Sequence, residues 1–145
     1  MQYGINIPQL FSSDRFDAGM LRRYLAMVED KGFHSAWVME RVVGTPPALD
    51  PLVLLSYAAA NSSKITLGSN IIISVLRNPV ILAKSLSSID HLSDGRLIVG
   101  LAFGGFTQEP YYPAFGVAAK TAGSRFEEGV HIMKKLWTEE RTTYQ

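Results

Sequence analysis

Short apolar runs alternate along the chain with longer stretches of helical spacing. Tyr3–Ile7 is a β-like run ended by Pro8. From Phe16 to Lys31 the apolar residues recur every three or four positions. Leu21, Tyr24, Leu25 and Val28 share one face, and Arg22, Arg23, Glu29 and Asp30 fall elsewhere. Asp14 or Asp17 is placed to cap this helix, and Gly32 to stop it. Ser35–Met39 reads as a second strand. A loop with Gly44–Pro47 then leads to Asp50-Pro51, an N-cap followed by proline at the first helical position, with the helix running to about Asn61. Ile65–Ile73 is a third strand. Pro79 opens a helix from Val80 to about Leu92, which ends in the turn Ser93-Asp94-Gly95. Leu97–Ala102 is a fourth strand, and its unbroken apolar character predicts cover on both faces. A glycine-rich loop and a long connection precede a last helix, from about Ser124 to Thr138.

Four strand–helix units without a hairpin signal predict an α/β fold with a parallel sheet wrapped by helices. The sheet is either open and doubly wound or part of a closed barrel. The open form of a dinucleotide-binding protein needs G-x-G-x-x-G after its first strand. Here that strand leads into Pro8-Gln9-Leu10-Phe11, and the Gly100, Gly104, Gly105 cluster has neither the spacing nor a helix directly behind it. A complete (β/α)₈ barrel takes about 250 residues, so four units in 145 residues amount to about half of one.

Composition narrows the function. The charged fraction of 19% and the net charge of +1 leave no clustered positive surface, which disfavours nucleic acid as a partner. With no cysteine, thiol catalysis, disulfides and Cys-based metal sites are excluded, and a reducing cytoplasm is the expected compartment. The start has no basic region followed by a long apolar run, and no apolar stretch approaches a membrane span. His34, His91 and His131 have no partner at metal-ligand spacing, so no metal site is expected. No G-x-S-x-G elbow points to a hydrolase.

A series of motifs carries a family likeness. Gly32-Phe33 with Ala36-Trp37-Val38-Met39-Glu40 resembles the "GF-x-x-x-W-x-x-E/D-H" strand of luciferase-like monooxygenases, the flavin- and F420-dependent oxidoreductases. Asp50-Pro51 with Ala58–Ala60 resembles that family's next helix, and Ile65–Ser69 its "RI-x-LGT" strand. Asn78-Pro79-Val80 with Leu82-Ala83-Lys84 is similar to "HP-x-x-LAK", and Ile89–Arg96 to "LD-x-LSGGR". Phe115-Gly116-Val117, Arg125-Phe126-Glu127-Glu128 and Leu136-Trp137 match its "LGV", "R-x-x-E" and "LW" positions. The resemblance covers essentially the whole chain in the family's order. It implies that residues 1–145 are the N-terminal half of a luciferase-like (β/α)₈ barrel domain.

In such barrels the chemistry sits on the loops at the C-terminal ends of the strands. Those ends are Ile7–Gln9, Glu40–Val43, Asn70–Ile73 and Ala102–Phe106. Ile7 and Pro8 are candidate substrate contacts, and Glu40, Arg41, Asn70, Ile71, Ala102, Gly104 and Gly105 are candidate cofactor contacts. The family often places His after the acid of strand two. Arg41 stands there instead, a poor acid or base that is suited to hold an anion. The resemblance implies a bulge with a non-proline cis peptide at Asn70-Ile71, against which a flavin-like ring rests. Gly104-Gly105 leaves room for a ring or its tail. In relatives that oxidise a sugar phosphate an acid occupies the position of Gly105, so its absence argues against that activity. Trp37 and Trp137 read as core or helix-packing residues rather than stacking platforms. No residue is assigned a catalytic role.

The implied activity is hydride or oxygen transfer to a small organic substrate, with F420 as cofactor and FMN as the alternative. The protein would position the reactants and exclude water while the cofactor carries the chemistry. The contrasting reading is a truncated, non-catalytic half-barrel that serves as an assembly or binding module. A continuation of the reading frame past Gln145 into four more units distinguishes the two. The outer strands of a half barrel are open edges that recruit partners, so a chain stable by itself is expected to pair its edges with a second copy or to rearrange them. The later loops build most of the family's cofactor-tail site, so the isolated chain is expected to bind cofactor weakly or not at all.

Overall fold

The computed structural model describes residues 1–12, 16–105 and 109–144. Asp14 and Phe106 lie outside the described residues. Strands and helices follow one another as expected: β1 (Gly4–Asn6), α1 (Ala18–Asp30), β2 (Ser35–Val38), α2 (Pro51–Ala60), β3 (Thr66–Ile73), α3 (Pro79–Leu92), β4 (Leu97–Ala102) and α4 (Ala122–Thr138). Element ends differ from the pattern-based ranges by one or two residues, the usual effect of fraying and capping. Three 3₁₀ turns, Ser74–Leu76, Glu109–Phe115 and Ala119–Thr121, were not legible in the apolar spacing. The strands form one sheet in the order β1-β2-β3-β4, the arrangement of half a (β/α)₈ barrel.

The chain divides into two units, residues 1–72 with 88–100, and residues 73–87 with 101–145. In the first, β1 and β2 pair in parallel with Ile5 opposite Ala36 and Asn6 opposite Trp37. β2 and β3 pair in parallel with Ala36 opposite Leu67 and Trp37 opposite Gly68. Alternation sends Ala36, Val38 and Leu67 into one core with Leu21, Leu25 and Val28 of α1 and Leu54, Leu55, Ala58 and Ala59 of α2. Trp37 and Gly68 therefore share the opposite face.

Local chemistry sets the helix ends. Asp17, not an earlier residue, caps α1 by accepting from Met20 N, and Gly32 ends it at φ 75°, which a side chain would disfavour. Asp50 accepts from Leu52 N and Val53 N ahead of Pro51. At the N-terminal end of β3, Ile65 is held by two side chains. Its N–H donates to Glu29 at 2.9 Å and its carbonyl accepts from Arg96 Nη1 at 2.7 Å.

One expectation is corrected. β4 is not covered on both faces: five of its six residues are only partly buried and Ile98 is 48% exposed. It is an outer strand of the sheet, so one of its edges has no neighbouring strand.

The second unit carries α4 and the 3₁₀ turns. Trp137 donates through Nε1 to Ala83 O at 3.2 Å, so it packs α4 against α3 as anticipated. Among the described residues, no helix is long and apolar enough to cross a membrane, and no cluster of acids and histidines has the arrangement of a metal site.

Candidate functional site

The C-terminal ends of β1, β2 and β3 are laced together, all within the first unit. Ile7 N donates to Trp37 O at 2.8 Å, which extends the β1–β2 ladder by one rung past β1. Past that point the side chain of Gln9 takes over. Its Nε2 donates to Met39 O at 2.6 Å and its Oε1 accepts from Met39 N at 2.7 Å. The next residue, Glu40, donates its N–H to Ile71 O at 3.0 Å, which ties β2 to β3.

The ends of β1 and β2 form a groove of about 230 Å³ lined by Asn6, Ile7, Pro8, Gln9, Leu10, Trp37 and Met39. Two of the sequence-derived positions, Ile7 and Pro8, line it directly. Glu40 follows the lining residue Met39 in the chain and meets Ile71 through the main-chain bond just described. The Asn70-Ile71 peptide is cis, the geometry that the family resemblance implied for this position. Asn70 is exposed and Ile71 half-buried, which interrupts the burial of β3 at that point.

Arg41 is placed differently from a groove-lining residue. It is exposed, and its Nη1 donates to Pro46 O at 3.1 Å, within its own loop. The guanidinium is thus engaged by the segment that contains the cis Thr45-Pro46 bond.

Trp37 belongs to the groove rather than to the core alone. The indole is half-buried and its Nε1 donates to Ser35 Oγ at 2.8 Å. It lies across two glycines of the neighbouring strands. A Cβ on Gly4 would stand 2.6 Å from Nε1, and one on Gly68 would stand 2.3 Å from the ring. Two strands without side chains therefore make room for one aromatic plate, a relation that spacing along one strand does not reveal.

Ala102, Gly104 and Gly105 lie in the second unit. Gly104 has φ 92°, and nothing stands within 4 Å of where a Gly105 Cβ would be. The residue between Ala102 and Gly104 is held in place: buried Tyr112 donates its hydroxyl to Phe103 O at 2.5 Å, and the Phe103 ring meets Phe126 edge-on at 6.2 Å. The second unit also contains a separate cavity of about 210 Å³, with Arg77, Arg125 and Glu128 among its lining. None of the sequence-derived site residues lines it, so the groove of the first unit is the stronger candidate.

Sequence reasoning marked Ile7–Gln9 as a strand end but missed what Gln9 does. The available signal was Gln9 at a strand end, a side chain that carries both donor and acceptor.

Known proteins resemble this chain in sequence and fold. A glucose-6-phosphate dehydrogenase described as F420-dependent, from Kineococcus radiotolerans, is 31% identical over 144 residues, covering 92% of this chain and 41% of its own length. A monooxygenase from Streptomyces bottropensis superposes with a TM-score of 0.82 at 28% identity, over all of this chain and 45% of that one. The FMN-bound oxygenating constituent of a diketocamphane monooxygenase from Pseudomonas putida gives a TM-score of 0.85 at 16% identity, over all of this chain and 42% of that one, a likeness of fold alone. The chain thus spans less than half the length of these relatives. The sequence profile of the luciferase-like monooxygenases matches residues 1–145, and the chain belongs to that family.

Proposed function

We propose that the protein containing this chain is an oxidoreductase that transfers hydride or oxygen to a small organic substrate, with F420 as its cofactor and FMN as the alternative. The observation that carries this reading is the lining of the groove. Its side chains are apolar, aromatic or amide, and none titrates. Such a wall binds and orients a flat organic molecule and excludes water, but it supplies no acid, base or nucleophile. A bound deazaflavin or flavin would supply the hydride or the activated oxygen.

In this reading Ile7, Pro8, Trp37 and Met39 form the wall toward the substrate, and Asn70 and Ile71 support the cofactor ring with Glu40 beside them. Ala102, Gly104 and Gly105 are assigned to the cofactor by the family resemblance, and Arg41 to an anionic group. Gly105 has no carboxylate where sugar-phosphate-oxidising relatives have an acid, so the substrate is proposed to be something other than a sugar phosphate. The alternative of a non-catalytic module is not favoured, because the relatives are enzymes by name.

The test is titration of the full-length protein with F420 and with FMN, followed by fluorescence. Micromolar F420 binding that exceeds FMN binding is the expected result. Tighter FMN binding would move the assignment to the alternative, and binding of neither would overturn the proposal.

A further inference from the structure

Gln9 is 4% exposed, and its amide is committed to the main chain of another segment. Besides the paired bonds to Met39, Nε2 reaches Leu49 O at 3.4 Å, and Gln9 O accepts from Leu49 N at 3.0 Å. Phe11 N donates to Pro47 O, and Leu10 forms an antiparallel bridge with Ala48. The segment after β1 is thereby joined both to the end of β2 and to the far end of the loop that follows β2.

The chemistry explains why this residue type is needed. In a parallel ladder alternate residues face the partner strand, so past the Ile7 N–H the main-chain groups in register with Met39 are Ile7 O and Gln9 N–H. A primary amide carries the same neutral donor–acceptor pair as a peptide group, so the Gln9 side chain serves in place of that rung. Glutamate has no donor when ionised, and an apolar side chain has neither group.

We infer that Gln9 is a positioning residue, whose side-chain amide takes the place of a main-chain rung to Met39 and sets the place of Met39 and Glu40 at the mouth of the groove. The inference rests on the cofactor reading of that groove. Its reach follows from the next bond: Glu40 N is held by Ile71 O, so a displaced Met39 carries the β2 end away from the Asn70-Ile71 peptide. Gln9 itself performs no chemistry. It acts through the two residues it holds.

Two variants of the full-length protein test this. Gln9→Met keeps the length and approximate volume of the side chain but removes both polar groups. Gln9→Glu keeps the shape and loses the donor at neutral pH. Its carboxyl, buried at this position, titrates above the ordinary range because burial disfavours the anion, and on protonation it regains the O–H donor that Met39 O requires. Binding and the visible circular dichroism of F420 or FMN are read across pH. Both variants are expected to bind about 10- to 100-fold more weakly near neutral pH with an altered spectrum. Gln9→Glu is expected to recover toward the wild type on acidification, while the wild type changes little. Wild-type affinity and spectrum in Gln9→Met would overturn the inference, as would failure of Gln9→Glu to recover.

If the wild type binds neither cofactor, the cofactor reading fails and Gln9 is judged by hydrogen exchange. The Met39 amide is then expected to exchange about tenfold or more faster in Gln9→Met, and unchanged exchange would overturn the positioning role. Should Gln9→Met fail to fold, the acid-dependent recovery of Gln9→Glu, read by Met39 exchange, decides alone.

Discussion

Glu29 gives the sharpest test of how the first unit is held together. Its Oε1 accepts from the N–H groups of Ser63, Lys64 and Ile65 at 2.8, 2.6 and 2.9 Å, which fastens the entry of β3 to the last turn of α1. Truncation by Glu29→Ala releases all three donors. Ser63 and Lys64 are exposed, so water replaces the carboxylate at a cost of a few tenths of a kcal/mol each. Ile65 is only 2% exposed, and its N–H, left without a partner, carries most of the loss, about 1–2 kcal/mol. The sum is about 2 kcal/mol, or roughly 8 °C in melting temperature at about 4 °C per kcal/mol for a chain of this size.

The pH dependence provides an independent check. Desolvation pushes the Glu29 carboxyl up, but the bonds from Ile65, Lys64 and Ser63, with the charge of Arg96, outweigh it and hold the group below its ordinary 4.5. A carboxyl whose pKa is lower folded than unfolded stabilises above the unfolded value and loses that contribution as pH falls through the folded one. Urea unfolding of the wild type and Glu29→Ala should therefore show a gap near neutral pH that narrows in acid. A gap below about 0.5 kcal/mol near neutral pH, within the range of ordinary surface substitutions, would refute the reasoning, and so would a gap that persists unchanged well below the ordinary carboxyl value.

Two further predictions concern the same unit. Gly68→Ala places a methyl about 2.3 Å from the Trp37 ring and is expected to cost about 1–3 kcal/mol through overpacking; in a double-mutant cycle with Trp37→Leu most of that cost should disappear, and an additive cycle would show that the ring is not the obstacle. Arg96→Lys removes the fork that reaches Ser93 O, Ile65 O and Ser62 O at 2.6, 2.7 and 3.1 Å. It should destabilise by about 1–3 kcal/mol despite retaining the charge, because one ammonium cannot serve carbonyls in three directions; denaturant titration checks this, and a midpoint equal to that of the wild type would contradict it.

The chain's local order was legible without coordinates. The alternation of strands and helices, the caps at Asp17 and Asp50 and the stop at Gly32 depend on residues a few positions apart, where periodicity, side-chain reach and φ preference act directly. The placement of Asn70-Ile71 came from family resemblance rather than from any local pattern, since the surrounding residues read as a plain buried strand. Ile7 and Pro8 were singled out because a barrel puts its chemistry at strand ends, and both line the groove.

Tertiary structure decided the rest, and the reason lies in sequence separation. Gln9 meets Met39 thirty residues on, and Glu29 meets Ile65 thirty-six residues on. Trp37 finds its space only because β1 and β3 bring Gly4 and Gly68 alongside it. A polar side chain carries its donors and acceptors in its composition, but its partner is set by which backbone groups the fold leaves unsatisfied nearby. Arg41 illustrates the limit: its charge suggested an anion, and only the fold shows that the Pro46 carbonyl of its own loop also lies within its reach.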